Sequence, residues 1–190
     1  MRENTIHIKN MVCPRCIKAV ETTLKKQNIG FSHIKLGEVF LLKPLNSDEE
    51  ELLRENLEFQ GFELLSDKKS QLIEKIKNTI VNMVHHQNDP DKIGHLKDQL
   101  PEILGHSYSY LSNLFSEIEG ITIEKYLILQ KIEKAKELFT YNQLNVNEIS
   151  YQLNYSSSQH FSRQFKLITG MSPSDFMKKK SPIRKSLNEI

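Results

Sequence analysis

The chain has 190 residues, with 26 lysines and arginines against 24 aspartates and glutamates, a formal net charge of +2 at pH 7. A hydrophobic fraction of 38% beside 26% charged residues describes a soluble globular protein of one large domain or two small ones. The longest apolar runs, Val39–Leu42 and Tyr126–Leu129, fall far short of the roughly 20 residues of a membrane span, and Met1–Asn10 has no apolar stretch for a secretory signal, so a cytoplasmic chain is expected.

In chain order, Ile6 and Ile8 alternate with Thr5, His7 and Lys9, the period of a half-buried strand. From Pro14 the pattern turns helical through Ile17, Val20 and Leu24, with Pro14 suited to a first helical turn. Phe31–Lys35 and Val39–Leu42 are β-prone runs, joined by Leu36-Gly37-Glu38 as a tight hairpin. Ser47 with Glu50 reads as a capping box, opening a helix that turns Leu52, Leu53 and Leu57 inward. Gly61 stops that helix, and Phe62–Leu65 supplies a last strand. Residues 69–86 then form an amphipathic helix through Leu72, Ile73, Ile76, Ile80 and Met83, broken by Asn88, Pro90 and Gly94. From there to Lys180 the chain reads as helices with short turns, and Lys178–Ile190 as a basic, loose tail.

Cys13 and Cys16 are the only cysteines. In a chain without an export signal they are expected to stay reduced, so C-x-x-C reads as a metal-binding or redox pair before a structural bridge. At a helix N-terminus, with Arg15 and Lys18 alongside, their pKa values are expected to fall. Two soft sulfurs suit Cu(I) or other thiophilic ions, whereas tetrahedral zinc needs two more ligands, of which His7 is the nearest by sequence. Adjacent His85 and His86 point in different directions on a helix and are expected to be solvated. The run Met11-Val12-Cys13-Pro14-Arg15-Cys16 lies between strand and helix of a βαββαβ unit over residues 4–66, with Gly61-Phe62 opening the last strand. It resembles the heavy-metal-associated domain of soft-metal chaperones and metal-transporting ATPases. The resemblance implies a ferredoxin-like fold, Cys13 and Cys16 as ligands, and Met11 as the buried residue that shapes the loop. Asn10 stands where that family usually has Gly and Val12 where it often has Thr; neither departure removes a ligand.

Farther on, Asn145 and Glu148 form a capping pair before a short helix carrying Val146, Ile149 and Leu153. Asn154-Tyr155 makes a turn, Ser156 with Gln159 caps the next helix, Phe161, Phe165 and Ile168 share one face, and Gly170 ends it. This is a helix-turn-helix pattern, whose second helix can enter the DNA major groove. Opposite the phenylalanines, Ser157, Ser158, Gln159, His160, Arg163 and Lys166 are candidate DNA contacts: Gln and Arg reach base edges bidentately, while Ser and Lys suit phosphates. Leu96–Gly120 repeats the plan with Leu111, Leu114, Phe115 and Ile118 inward, and offers Ser109, Tyr110, Ser112 and Asn113 as secondary candidates. Between the units, Thr122 caps a long helix through Tyr126, Leu127, Ile132, Ala135, Leu138 and Phe139.

Two such units joined by one helix, with Glu148-Ile149, Phe161-Ser162-Arg163-Gln164-Phe165-Lys166, Gly170 and Ser172-Pro173, resemble the DNA-binding domain of AraC-type transcription regulators over about residues 70–178. Lys131 stands where that family usually has Arg, Ser150 and Asn154 where it has Ala and Gly, and Pro101 where it packs a small Ala. Pro101 is expected to bend its helix. Charge separates the two units. Residues 101–120 carry Glu102, Glu117 and Glu119 with no Lys or Arg, a net −3. Residues 151–185 carry Arg163, Lys166, Lys178, Lys179, Lys180, Arg184 and Lys185 against Asp175 alone, a net +6. Phosphate attraction therefore favours the second unit.

The expected architecture is α+β: a sensor domain over residues 1–68, then an all-α double helix-turn-helix domain over 69–190 with a basic tail. The expected function is sequence-specific binding of double-stranded DNA in transcription regulation, responsive to a soft metal ion, with a homodimer through the N-terminal domain. No hydrolytic constellation is recognisable, so no enzymatic activity is expected. A thiol-redox switch on the same output is one alternative; a metal chaperone or thiol-disulfide protein without a DNA role is another.

Overall fold

Alternating apolar residues build the first sheet of the computed structural model, which describes residues 4–87, 93–141, 143–178 and 186–189. Strands β1 (Thr5–Lys9), β2 (Phe31–Lys35), β3 (Glu38–Leu41) and β4 (Glu63–Leu65) pair antiparallel in the order β2-β3-β1-β4. Helix α1 (Pro14–Lys26) follows β1, and α2 (Ser47–Glu58) follows β3. Ile6 lies opposite Val39 and Ile8 opposite Leu64, so register puts the apolar residues on one face. There Ile8, Val39, Leu41 and Leu64 pack with Val20 and Leu24 of α1 and Leu53 and Leu57 of α2.

His7, Glu38 and Leu65 occupy the opposite face. Helix α3 (Lys68–Val81) supplies partners there: Lys75 meets Glu38 at 3.0 Å, and Glu38 stands 3.7 Å from His7. Gly37 permits the approach of α3, since its φ is +78° and a Cβ would collide with the Asn78 amide. Two local readings shift. The capping box of α2 is Asn46 with Glu49, one residue earlier than expected, because Leu45 packs on the core and fixes where the chain enters the helix. Leu52 is 50% exposed, because a helix that turns Leu53 and Leu57 inward carries Leu52 about 100° off their stripe.

The chain divides into two compact units, Met1–Asn78 and Thr79–Ile190, with the boundary inside α3. In the second, Asn82–His86 winds as a π-helical turn. Helices α4 (Leu96–Leu104), α5 (Tyr108–Glu119), α6 (Ile123–Tyr141), α7 (Val146–Gln152), α8 (Ser158–Thr169) and α9 (Pro173–Met177) follow, with a short 3-10 turn at Leu187–Glu189. Pro101 sits inside α4, and Asn88 and Pro90 lie outside the described residues. Ile118 is 45% exposed: α5 runs a turn past the core that buries Leu114 and Phe115.

Helix α6 is buried on every side from Gln130 to Lys136, so its polar residues must be satisfied internally. His85 is one of its partners and is buried rather than solvated: the wider π turn changes the phase of the chain and carries the imidazole inward. Its Nε2 donates to Oε1 of Gln130 at 2.9 Å, and its carbonyl accepts from Lys134 Nζ at 3.5 Å. Burial pulls the His85 pKa down to about 4, against 6.5 ordinarily. The unfolded chain therefore takes up a proton that the folded chain refuses as pH falls from about 6.5 towards 4. Up to about 3 kcal/mol of stability should be lost across that window. Urea melts at pH 7 and pH 4.5 should show this loss in the wild type and a smaller one in His85→Gln.

Candidate nucleic-acid interface and thiol pair

Helix α7 opens on the capping box expected from sequence, Asn145 Oδ1 accepting from the Glu148 N–H at 3.0 Å and Glu148 Oε2 from the Asn145 N–H at 2.7 Å. Asn154 turns the chain with φ +51°, in the left-handed region that Asn tolerates better than most residues. Helix α8 is capped by Ser157, whose hydroxyl accepts from the His160 N–H at 3.1 Å. Ser156, the expected cap, instead lies 3.3 Å from His160 Nδ1.

Four aromatic residues set the rotation of α8. Phe161 and Phe165 are fully buried, Phe165 lying 5.6 Å from Phe139 and 5.4 Å from Phe176 between ring centroids, both edge-on. With that side committed, Gln159, His160, Arg163 and Lys166 stand exposed on α8 as expected, while Ser157 and Ser158 are half-buried at its start. Leu167 was missed by the sequence reading. It is 81% exposed, four residues after Arg163 and seven after His160, hence on the same outward row. An apolar side chain among candidate base contacts suits a thymine methyl. The signal was available: at i+6 from Phe161 and i+2 from Phe165, Leu167 cannot share their face. Of the basic tail, Lys178 is exposed, while Lys179, Lys180, Arg184 and Lys185 lie outside the described residues.

In the first helix-turn-helix unit, Ser107 caps α5, and Ser109, Tyr110 and Asn113 are exposed while Ser112 is half-buried. Tyr110 leans on His106 at 5.1 Å. Tyr108 donates to Glu124 at 2.8 Å, and Lys97 reaches the same carboxylate at 3.4 Å, tying α4, α5 and α6 together. Burial and that carboxylate push the Tyr108 phenol well above its ordinary range.

Cys13 is the N-cap of α1 and Cys16 lies in its first turn, the two sulfurs 3.4 Å apart and both half-buried. That separation is far beyond a disulfide bond, so both are free thiols. Burial pushes the Cys16 thiol up, against the sequence expectation; the N-terminal helix position does not outweigh desolvation there. Met11 is fully buried. His7 faces the α3 side of the sheet, and among the described residues no group of three or more His, Cys, Asp or Glu side chains converges on one point.

Residues 100–179 match the family described as "Helix-turn-helix domain". This segment, somewhat under half of the chain, is similar to a helix-turn-helix domain. An uncharacterised helix-turn-helix-type transcriptional regulator of Bacillus subtilis, YtdP, is 27% identical over 105 residues, which is 55% of this chain and 13% of that protein. The xylose operon regulatory protein of Escherichia coli is 31% identical over 97 residues, 51% of this chain and 25% of its own length. The C-terminal domain of AraT, a response regulator from Geobacillus stearothermophilus, superposes with a TM-score of 0.49 at 25% identity, covering 63% of this chain and 93% of that one. The chain thus spans about an eighth to a quarter of the length of these two curated relatives.

The aromatic cluster makes a direct stability test. Phe165→Ala should cost about 3–5 kcal/mol, because it removes a fully buried ring and leaves a cavity between Phe139 and Phe176. Denaturant melts of the purified variant check this; a loss below about 1 kcal/mol would mean that another contact orients α8.

Proposed function

We propose that the chain is a sequence-specific, DNA-binding transcription regulator, cytoplasmic and non-enzymatic, in which α8 is the principal reading element. The observation that carries this is the outward row of Gln159, Arg163 and Lys166, fixed by burial of Phe161 and Phe165 on the opposite side. Likeness to helix-turn-helix transcriptional regulators supports it, as does the absence, among the described residues, of any helix long and apolar enough to cross a membrane. The first helix-turn-helix unit contributes less, since its residues 101–120 are acidic. Arg163→Ala should weaken binding to a duplex enriched from a random library by about 1–3 kcal/mol, and Asn113→Ala by less. Isotherms at one fixed salt concentration decide the order; a larger loss for Asn113→Ala would make the first unit a full reader.

For the N-terminal unit we propose thiol-based sensing. The strand order, with α1 and α2 on one face, supports the ferredoxin-like reading. Two adjacent sulfurs without a third ligand suit a low-coordinate soft ion such as Cu(I) better than tetrahedral zinc. Cys13 and Cys16 would hold it, with Met11 supporting the loop from the core. A route towards α3 runs through Asn10. Its carbonyl accepts from the Cys16 thiol at 3.9 Å, its N–H donates to Glu74 Oε1 at 3.1 Å, and its amide donates to the Gly61 carbonyl at 2.9 Å. Glu74 belongs to α3 and is buried. Coupling to DNA binding further requires that the sulfur state favour one conformation over another.

Anaerobic protein should bind one Cu(I) per chain, and Cys13→Ser or Cys16→Ser should each abolish it, as read by metal analysis after desalting. Unchanged stoichiometry in the double variant refutes the metal site. If no ion binds but mild oxidation shifts DNA affinity, the pair is a redox switch instead.

A further inference from the structure

Lys131 is a cation in the wrong place for stability. It is 8% exposed inside α6, and no carboxylate pairs with it among the described residues. Its Nζ donates to the Asn154 carbonyl at 3.3 Å and stands 4.9 Å from the ring centroid of Tyr155. One carbonyl and one ring offset only part of the cost of removing an ammonium from water. Burial accordingly pulls its pKa down to about 8, so the folded state holds this proton less firmly than water does.

What the charge touches is the turn between α7 and α8. Tyr155 in turn donates from its hydroxyl to Gln164 Oε1 at 2.6 Å, and its ring packs edge-on against Phe161 at 5.2 Å and His160 at 5.6 Å. Gln164, Phe161 and His160 all belong to α8. The ammonium therefore holds a turn residue and a ring that together meet three successive sectors of the reading helix.

We propose that Lys131 is a positioning residue for DNA recognition: its ammonium clamps the Asn154–Tyr155 turn, sets the pose of α8, and is retained for that purpose at the expense of stability. This rests on the DNA-binding reading above. It differs from an ordinary packing role in one respect. Replacing the charge by an apolar side chain of similar length removes a desolvation cost and keeps the packing, so stability and DNA affinity should move in opposite directions. Arginine, by contrast, keeps the charge, can donate to the carbonyl and can stack on the ring.

The test compares Lys131→Met and Lys131→Arg with the wild type in three measurements. These are thermal melting, affinity for a duplex enriched from a random library by the wild type, and amide exchange over residues 154–160. Lys131→Met should melt at or above the wild-type temperature, exchange faster at the turn, and lose about tenfold in affinity. Lys131→Arg should stay within about threefold of the wild type. Wild-type affinity in Lys131→Met, equal weakness in Lys131→Arg, or a melting point well below wild type in Lys131→Met would each overturn the proposal. If the wild type enriches no duplex, the DNA-binding reading fails on its own terms. Turn exchange then still decides the clamp: unchanged exchange in Lys131→Met overturns it.

Discussion

Burial of Phe161 and Phe165 against Phe139 and Phe176 is the constraint on which the outward face of α8 depends. A 12-residue helix in water has no preferred rotation, and isolated helices of that length are marginal. Two phenylalanines four residues apart give α8 both its reason to form and its orientation. Everything chemical on the opposite side follows: Gln159, Arg163, Lys166 and Leu167 face outward because the other side is spent on the core. Ser157 and Gly170 then cut the helix to length, the serine by capping its first turn and the glycine by adopting φ +78° at its end.

A second layer of constraint lies in α6. A helix enclosed on all sides is normally apolar all round, yet this one carries Gln130, Lys131, Glu133, Lys134 and Lys136 in its buried stretch. Their long stems fill space as hydrocarbon, and their polar ends reach the structures on either side. Gln130 and Lys134 reach His85 in the π turn, and Lys131 reaches the α7–α8 turn. The interior of the second unit thus specifies its geometry through hydrogen bonds as well as packing, where an all-leucine seam would leave rotation and slide less determined. Pairing a buried neutral histidine with a glutamine amide is acceptable at neutral pH. It becomes costly in acid.

Long periodic patterns were legible and phase was not. The βαββαβ order, the Asn145–Glu148 capping box and the Phe161–Phe165 face follow from spacing alone, because period-2 and period-3.6 patterns survive any local adjustment. The failures are all questions of which neighbour wins. Asn46-Ser47-Asp48-Glu49-Glu50 contains two overlapping capping boxes, and only Leu45 packing on the core selects the first. Ser156 and Ser157 compete in the same way. Leu52 and Ile118 sit at the margin of an apolar stripe, where tertiary neighbours decide burial. The π turn that buries His85 leaves no mark in hydrophobic periodicity, since it adds a residue to one turn only. For Cys16 the helix dipole was visible in the sequence and the burial that opposes it was not.

The two helix-turn-helix units share a plan but not a chemistry, and that difference bears on how DNA would be read. Each phosphate contact by a cation contributes about −0.9 to the slope of affinity against salt. The described part of the second unit offers Arg163, Lys166 and Lys178 as exposed cations, and the first unit's residues 101–120 offer none and carry a net −3. Gln159, Arg163 and Leu167 carry side chains of the kinds that suit base edges. Bidentate contacts tolerate little misplacement, whereas phosphate contacts through flexible lysines tolerate much. The buried ring cluster beneath α8 fixes the rotation that bidentate contacts would require.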